Sequence, residues 1–69
     1  MKHITKRMND LPEGTIVYRN AGEWVLKRYD SFHGWYEAAE LIYDDDIDDV
    51  RESDQIDYLL PSDLIGCEY

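Results

Sequence analysis

The spacing of turn-forming residues most limits what the first half of this chain can form. Pro12 and Gly14 precede a β-branched run, the residues at 20–22 follow it, and Gly34 ends a further turn that starts at Asp30. Pro presets its own φ and Gly accepts positive φ, so these clusters indicate tight connections between extended runs. The sequence therefore predicts strands over residues 15–18, 23–29 and 35–43, joined as a meander.

The second half of the chain allows two interpretations. The acidic residues at 44–49 interrupt the strand pattern, because Asp is depleted in strands and is a poor helix former, which favours a loop. A competing helix is indicated by apolar residues at spacings of three and four: Tyr36, Ala39, Tyr43, Ile47 and Val50. Ser53 is expected to begin a short helical turn that ends before Pro61, and residues 63–67 are expected to form a closing strand.

The length of 69 residues predicts one small domain. We expect a flexible N-terminus over residues 1–10 and a single domain over residues 11–69, with an acidic segment at 44–54. Trp24 and Trp35 are expected in the core, whereas several of the six tyrosines must be exposed, because so small a core cannot bury all the rings.

Charge is distributed very unevenly along the chain. The formal net charge is −9, and from Tyr29 onward thirteen acidic residues face one basic residue, Arg51. This balance argues against direct binding to nucleic acid or to an anionic membrane and favours a basic protein partner. The single cysteine, Cys67, cannot form an internal disulfide, and the apolar runs are too short to span a bilayer, so we expect a cytoplasmic protein.

Neither catalysis nor a metal site is predicted. Counted from Asp44, the acidic run fails the EF-hand pattern, because Asp49 occupies the glycine position and Gln55 the position of the bidentate Glu. His33 is expected in an exposed turn and Cys67 in the closing strand, so neither indicates a general base or a nucleophile. A domain of this size rarely encloses a pocket, and we expect no enzyme activity and no cofactor.

The order of landmarks resembles that of small phage-encoded acidic proteins. These share an LPxGT-type strand opening, a Gly then Trp hairpin and a Gly-Trp third strand, here LPEGTIVYR, AGEWVLKR and HGWYEAAE, followed by SDQIDYLLPSDLIG. The resemblance covers residues 11–66, and the insertion at 44–49 departs from it. It implies a mainly β fold, a small SH3-like barrel of four to five antiparallel strands with one short helical turn.

The leading functional prediction is a module that blocks a basic, nucleic-acid-binding host protein by imitating the phosphate backbone. The alternative is an SH3-like adaptor that binds basic or Pro-rich peptides, or a subunit of a larger assembly. A plainer alternative is that the acidic run is a solvated loop that keeps the domain soluble. The residues predicted to contact the partner are Asp44, Asp45, Asp46, Asp48, Asp49, Glu52, Asp54, Asp57, Tyr36, Tyr43 and Tyr58.

Overall fold

The computed structural model describes residues 2–44, 46 and 49–69 and confirms a mainly β protein. Five antiparallel strands and one turn of 3₁₀ helix make up its regular structure among these residues. Closure of the sheet into a barrel remains a prediction. The elements are β1 (Ile16–Arg19), β2 (Gly22–Asp30), β3 (Trp35–Asp44), β4 (Asp49–Glu52), β5 (Asp57–Leu59) and the 3₁₀ helix (Pro61–Leu64).

Strand β3 is the centre of the sheet. It pairs along one side with β2, which in turn pairs with β1. Along its other side it pairs with β5 near its start, where Tyr36 faces Leu59, and with β4 near its end, where Asp44 faces Asp49. The two ends of β3 therefore have different neighbouring strands. The ten residues of β3 span about 30 Å at roughly 3.3 Å per residue.

Two tight turns place the first three strands. Asn20 and Ala21 connect β1 to β2 with positive φ angles of 48° and 61°, the combination that a type I′ hairpin turn requires. The β2–β3 turn is organised by Asp30, whose side-chain oxygen accepts the backbone N–H groups of Phe32 and His33. Gly34, at φ 77°, then returns the chain to β3.

The core lies on one face of the sheet. Val17, Leu26, Tyr36 and Leu59 come from neighbouring strands and are buried there. The other members of this cluster come from outside the strands or from β3: Ile4, Leu11, Ala38, Leu64 and Cys67. Both tryptophans are half-buried: Trp24 packs against the core, whereas Trp35 is not part of it, so the prediction of a core position for Trp35 is wrong.

The chain ends pack against each other and extend the sheet beyond β1. Ile4 donates its N–H to the carbonyl of Cys67 over 2.9 Å, and Glu68 bridges His3 on one side and Tyr18 on the other. Ile4 is 1% exposed. The expectation of a flexible terminus over residues 1–10 therefore missed a core contribution, because one Ile among polar neighbours shows no periodicity for a sequence reading to detect.

The second half of the chain corrects three expectations. Residues 36–44 belong to β3, so the helix alternative is wrong for them; Ile47 lies outside the described residues. The helical turn begins at Pro61 rather than ending before it, since the fixed φ of Pro suits a first helical position and its missing N–H is not needed there. Residues 57–59 are instead strand, and the predicted closing strand at 63–67 is replaced by the end of the 3₁₀ helix and a turn.

Candidate protein-interaction surfaces

Carboxylates are concentrated at the tip of the β3–β4 hairpin. Asp44 ends β3 and Asp49 begins β4, and the two are directly opposed across the strands, while Asp46 lies in the connecting turn. We call Asp44, Asp46 and Asp49 the acidic tip. None of the ion pairs within the described residues involves them. Directly opposed like charges destabilise a sheet, so the hairpin holds its charge at a cost in stability.

The side chains of the acidic tip also shape the local backbone. Asp44 accepts the N–H of Asp46 over 3.0 Å, and Asp49 accepts the N–H of Val50 over 2.8 Å. These bonds provide acceptors for two backbone N–H groups at the end of the hairpin. The expectation of a loop over 44–49 is therefore corrected at both ends, where Asp44 and Asp49 lie in strands.

Two further predicted acidic residues, Glu52 and Asp57, are each engaged by a side chain of β2. Glu52 forms an ion pair with Lys27, and Asp57 accepts the indole N–H of Trp24 over 2.8 Å. Asp54 is exposed. Because strand side chains alternate between faces, Glu52 and Asp49, three positions apart on β4, point to opposite sides of the hairpin. Asp45 and Asp48 lie outside the described residues.

The three predicted tyrosines lie in three different environments. Tyr36 is buried, and its hydroxyl donates to the carbonyl of Met8 and accepts the N–H of Leu11, so its assignment as a partner-binding residue is wrong. Burial raises the pKa of the Tyr36 phenol. Tyr43 and Tyr58 are both exposed.

Tyr43 and Tyr58 are nevertheless too far apart to serve one small site. Tyr58 faces Glu37 in the sheet, and Tyr43 lies six residues beyond Glu37 on β3, a separation of about 20 Å. Tyr43 belongs to the hairpin end, where its hydroxyl donates to Glu23 over 2.5 Å. The bond to this carboxylate raises the pKa of Tyr43.

A row of four aromatic rings lies at the opposite end of β3, and only one of them, Tyr58, belongs to the sequence-based site. The His33 ring stacks on that of Trp35 with centroids 4.4 Å apart, and Phe32 and Tyr58 flank this pair at 4.9 and 5.0 Å. We call these four residues the aromatic patch. Phe32 is 89% exposed. In the sequence, the four rings lie within 27 positions of one another. Tyr58 nevertheless reaches the other three only because β5 pairs with β3.

One cation beside the aromatic patch, Arg28, is shared between two carboxylates. Arg28 lies 2.8 Å from a Glu37 oxygen and 3.6 Å from an Asp30 oxygen, and His33 Nδ1 lies 2.7 Å from the latter carboxylate. The hydrogen bond from His33 lowers the pKa of Asp30, against a smaller opposing effect of burial. The hydrogen bond to Glu37 raises the pKa of Arg28. The patch thus differs from the acidic tip in that its neighbouring carboxylates are paired.

The described residues contain no group of three or more side chains arranged to hold a metal ion. Cys67 is buried within the core cluster, and His33 is exposed in its turn as expected. In the described part of the chain, none of the helices is long and apolar enough to cross a membrane.

The fold and its two surfaces define a small β-sheet protein with an acidic end and an aromatic end. No protein-family model matches the chain, and comparisons with curated proteins and with solved structures found no significant similarity.

Proposed function

We propose that this chain is a small acidic protein-binding module, phage-encoded, that blocks a basic nucleic-acid-binding protein in the host cytoplasm by imitating the phosphate backbone. The observation that carries the proposal is the acidic tip: carboxylates of Asp44, Asp46 and Asp49 gathered at the end of a hairpin, outside the ion pairs of the described residues. Duplex DNA presents one charge per about 1.7 Å of axis, and a cationic cleft built for it also attracts closely spaced carboxylates.

The opposition of Asp44 and Asp49 supports this proposal further. A cationic side chain placed between them relieves their repulsion, so binding recovers free energy that the unbound hairpin forgoes. Asp46 and all four residues of β4 are exposed, which also favours binding of a basic partner at the acidic tip. A partner can therefore approach without rearrangement of the core.

The adaptor alternative has weaker support. It places Tyr36 and Tyr58 beside the acidic segment in one peptide groove, yet Tyr36 is buried and Tyr58 lies near the far end of β3. An adaptor would need these groups within the reach of one short peptide. We therefore prefer the electrostatic decoy.

Affinity capture from host lysate at low and at high salt, followed by competition with labelled duplex DNA, tests the proposal. The captured protein should release DNA when the module is added, and its affinity for the module should fall steeply between about 0.05 and 0.2 M salt. A captured protein that binds DNA and the module together, or whose affinity is indifferent to salt, contradicts the decoy function.

A triple variant with Asp44→Asn, Asp46→Asn and Asp49→Asn locates the effect. We expect about a ten- to hundredfold loss of affinity, since each exposed charge contact contributes roughly 0.5–1 kcal/mol. The matched control, Asp10→Asn, Glu13→Gln and Asp63→Asn, removes the same charge from exposed positions elsewhere and should retain most of the affinity. Equal losses in the two variants would show that net charge alone matters.

A further inference from the structure

We propose that Tyr43 and Val50 form the apolar anchor by which the β3–β4 hairpin holds its basic partner. This inference rests on the proposed function and deepens it, because it assigns a second, uncharged part of the same contact surface. Tyr43 is 59% exposed and Val50 is 44% exposed, and the two face each other directly across β3 and β4. Directly opposed strand side chains share a face and lie about 5 Å apart. The ring and the branched side chain therefore form one exposed apolar surface, which we call the hairpin anchor.

The hairpin anchor lies beside the acidic tip but on the other face of the hairpin. Asp44 follows Tyr43 and Asp49 precedes Val50, and neighbouring strand residues point their side chains to opposite faces. A hairpin that enters a cleft meets a wall on each side. One wall contacts the carboxylates of Asp44 and Asp49, and the other contacts the ring of Tyr43. The cationic cleft of the partner therefore has an apolar wall opposite its charged one.

Charge around the hairpin anchor favours a basic protein as its occupant. A cleft of about 520 Å³ adjoins Tyr43. Among the described residues, three carboxylates and one cation line this cleft: Glu23, Glu40, Glu68 and Arg19. None of the ion pairs within the described part of the chain involves Glu23 or Glu40. A basic partner is therefore attracted here as well as at the acidic tip, whereas a second copy of this chain, with its net charge of −9, is repelled.

The side chains of the hairpin anchor are oriented before a partner binds. The hydroxyl of Tyr43 donates to Glu23 over 2.5 Å, so a residue of β2 fixes the orientation of a ring carried by β3. Val50 adds a β-branched side chain, whose χ1 angle is restricted. Both side chains therefore lose little conformational freedom on binding, which favours affinity. Tyrosine is also among the residues that most often carry the binding energy of protein interfaces.

Two synthetic peptides of equal charge test the inference on the full chain: Lys-Lys-Leu-Leu-Lys-Lys and Lys-Lys-Ser-Ser-Lys-Lys. The leucine peptide should bind at least about threefold more tightly than the serine peptide, because only its side chains pack on the hairpin anchor. Raising the salt concentration should weaken both peptides but preserve their ratio, since screening acts on charges and not on apolar contacts. Titration by nuclear magnetic resonance measures both affinities and should shift the signals of Tyr43 and Val50 more than those of Tyr58.

Three variants locate the contact. Tyr43→Ala should abolish the preference for the leucine peptide and leave the affinity for the serine peptide within about twofold of the parent chain. Tyr43→Phe keeps the ring and should retain most of the preference, which separates the apolar contact from the hydroxyl. The matched control is Tyr58→Ala, which removes a ring of similar exposure, 57% against 59%, about 20 Å from the hairpin anchor. It should leave the preference unchanged.

Several outcomes overturn the inference. They are equal affinities of the two peptides for the parent chain, no binding of either peptide, a preference that survives Tyr43→Ala, and a preference that Tyr58→Ala abolishes equally. These results leave the decoy function standing, since it depends on competition with DNA. Conversely, a captured protein that retains its DNA overturns the decoy function, even if the leucine peptide is preferred through Tyr43.

Discussion

The hydroxyl group of Tyr36 donates a hydrogen bond to the carbonyl oxygen of Met8 over 2.6 Å, across 28 positions of sequence. It also accepts the N–H of Leu11 over 3.2 Å. One buried side chain of the central strand therefore satisfies two backbone groups of the N-terminal segment. This relationship explains why residues before the first strand belong to the folded domain.

Replacing Tyr36 by Phe should lower the free energy of unfolding by about 1–3 kcal/mol, because the backbone groups of Met8 and Leu11 lose their partner in a poorly hydrated place. Urea denaturation measures the change. The exposed Tyr58→Phe is the control and should stay within about 0.5 kcal/mol of the parent chain. Equal stability of the two variants would contradict a structural role for the Tyr36 hydroxyl.

Ile4→Ala should destabilise the domain by about 2–5 kcal/mol, as expected for truncating a buried side chain. The neighbouring Thr5 is exposed, so Thr5→Ala provides a local control with little effect. Thermal unfolding compares the two. If both substitutions were equally silent, the N-terminal segment would not be part of the core in solution.

Ala21→Gly should stabilise the chain by about 0.5–1 kcal/mol. Ala21 adopts φ 61°, where a Cβ atom is strained and glycine is not. Asn20→Gly is the comparison: Asn20, at φ 48°, tolerates this region through its short polar side chain, so the change should be close to zero. The denaturant midpoints of the two variants measure these stability changes. A loss of stability in Ala21→Gly would argue against the type I′ turn.

Asp30 should contribute to acid sensitivity. Its pKa is lowered in the folded protein, chiefly by the His33 hydrogen bond, so the contribution is complete above the unfolded value of about 3.9 and disappears as pH falls through the lower folded value. Melting temperatures from about pH 7 to about pH 2 should show Asp30→Asn less stable than the parent near neutrality and the difference closing below about pH 4. Asp54→Asn, at an exposed position, should show no such convergence.

Asp49→Asn should stabilise the hairpin by about 0.2–1 kcal/mol, since it removes the repulsion from Asp44 and keeps an oxygen for the Val50 N–H. The gain should shrink near 1 M salt, where the screening length is about 3 Å. Urea titrations at two salt concentrations measure it. Glu13→Gln, at an exposed site before β1, should give no comparable gain. A destabilised Asp49→Asn hairpin would contradict the repulsion.

Local chemistry made β1, β2, β3 and the turns between them predictable, whereas β4 and β5 were not predicted as strands. The positions of Pro12, Gly14 and Gly34 delimit β1 and the β2–β3 turn, and the Asn20–Ala21 connection lies where hairpin-forming residues predict it. Such signals depend on the φ preferences of single residues, so they need no knowledge of distant contacts. The N-terminal segment and the site of the helical turn were not predictable in this way, because packing across the fold decides both.

The candidate site was predicted in part. The cluster of acidic residues at 44–49 can be read directly from the sequence. The pairing of Glu52 with Lys27 and of Asp57 with Trp24 depends instead on neighbours from other strands. Of the aromatic patch, only Tyr58 was predicted, and its grouping with the other rings was missed for the same reason: Tyr58 reaches Trp35 only through the register of β5 on β3.

By itself, the sequence determined the first two turns between strands, the three strand-forming runs of the first half and the charge asymmetry, since these are properties of residues and their near neighbours. The tertiary structure alone decided that Tyr36 is buried while Trp35 and Tyr58 form a surface. Aromatic rings occur on both faces of β3. The alternation of strand side chains shows that neighbouring rings point to opposite faces of the sheet, but it does not show which face packs against the core. That choice is made by Ile4, Leu11 and Leu64, which lie outside the strands and join the core cluster from distant parts of the chain.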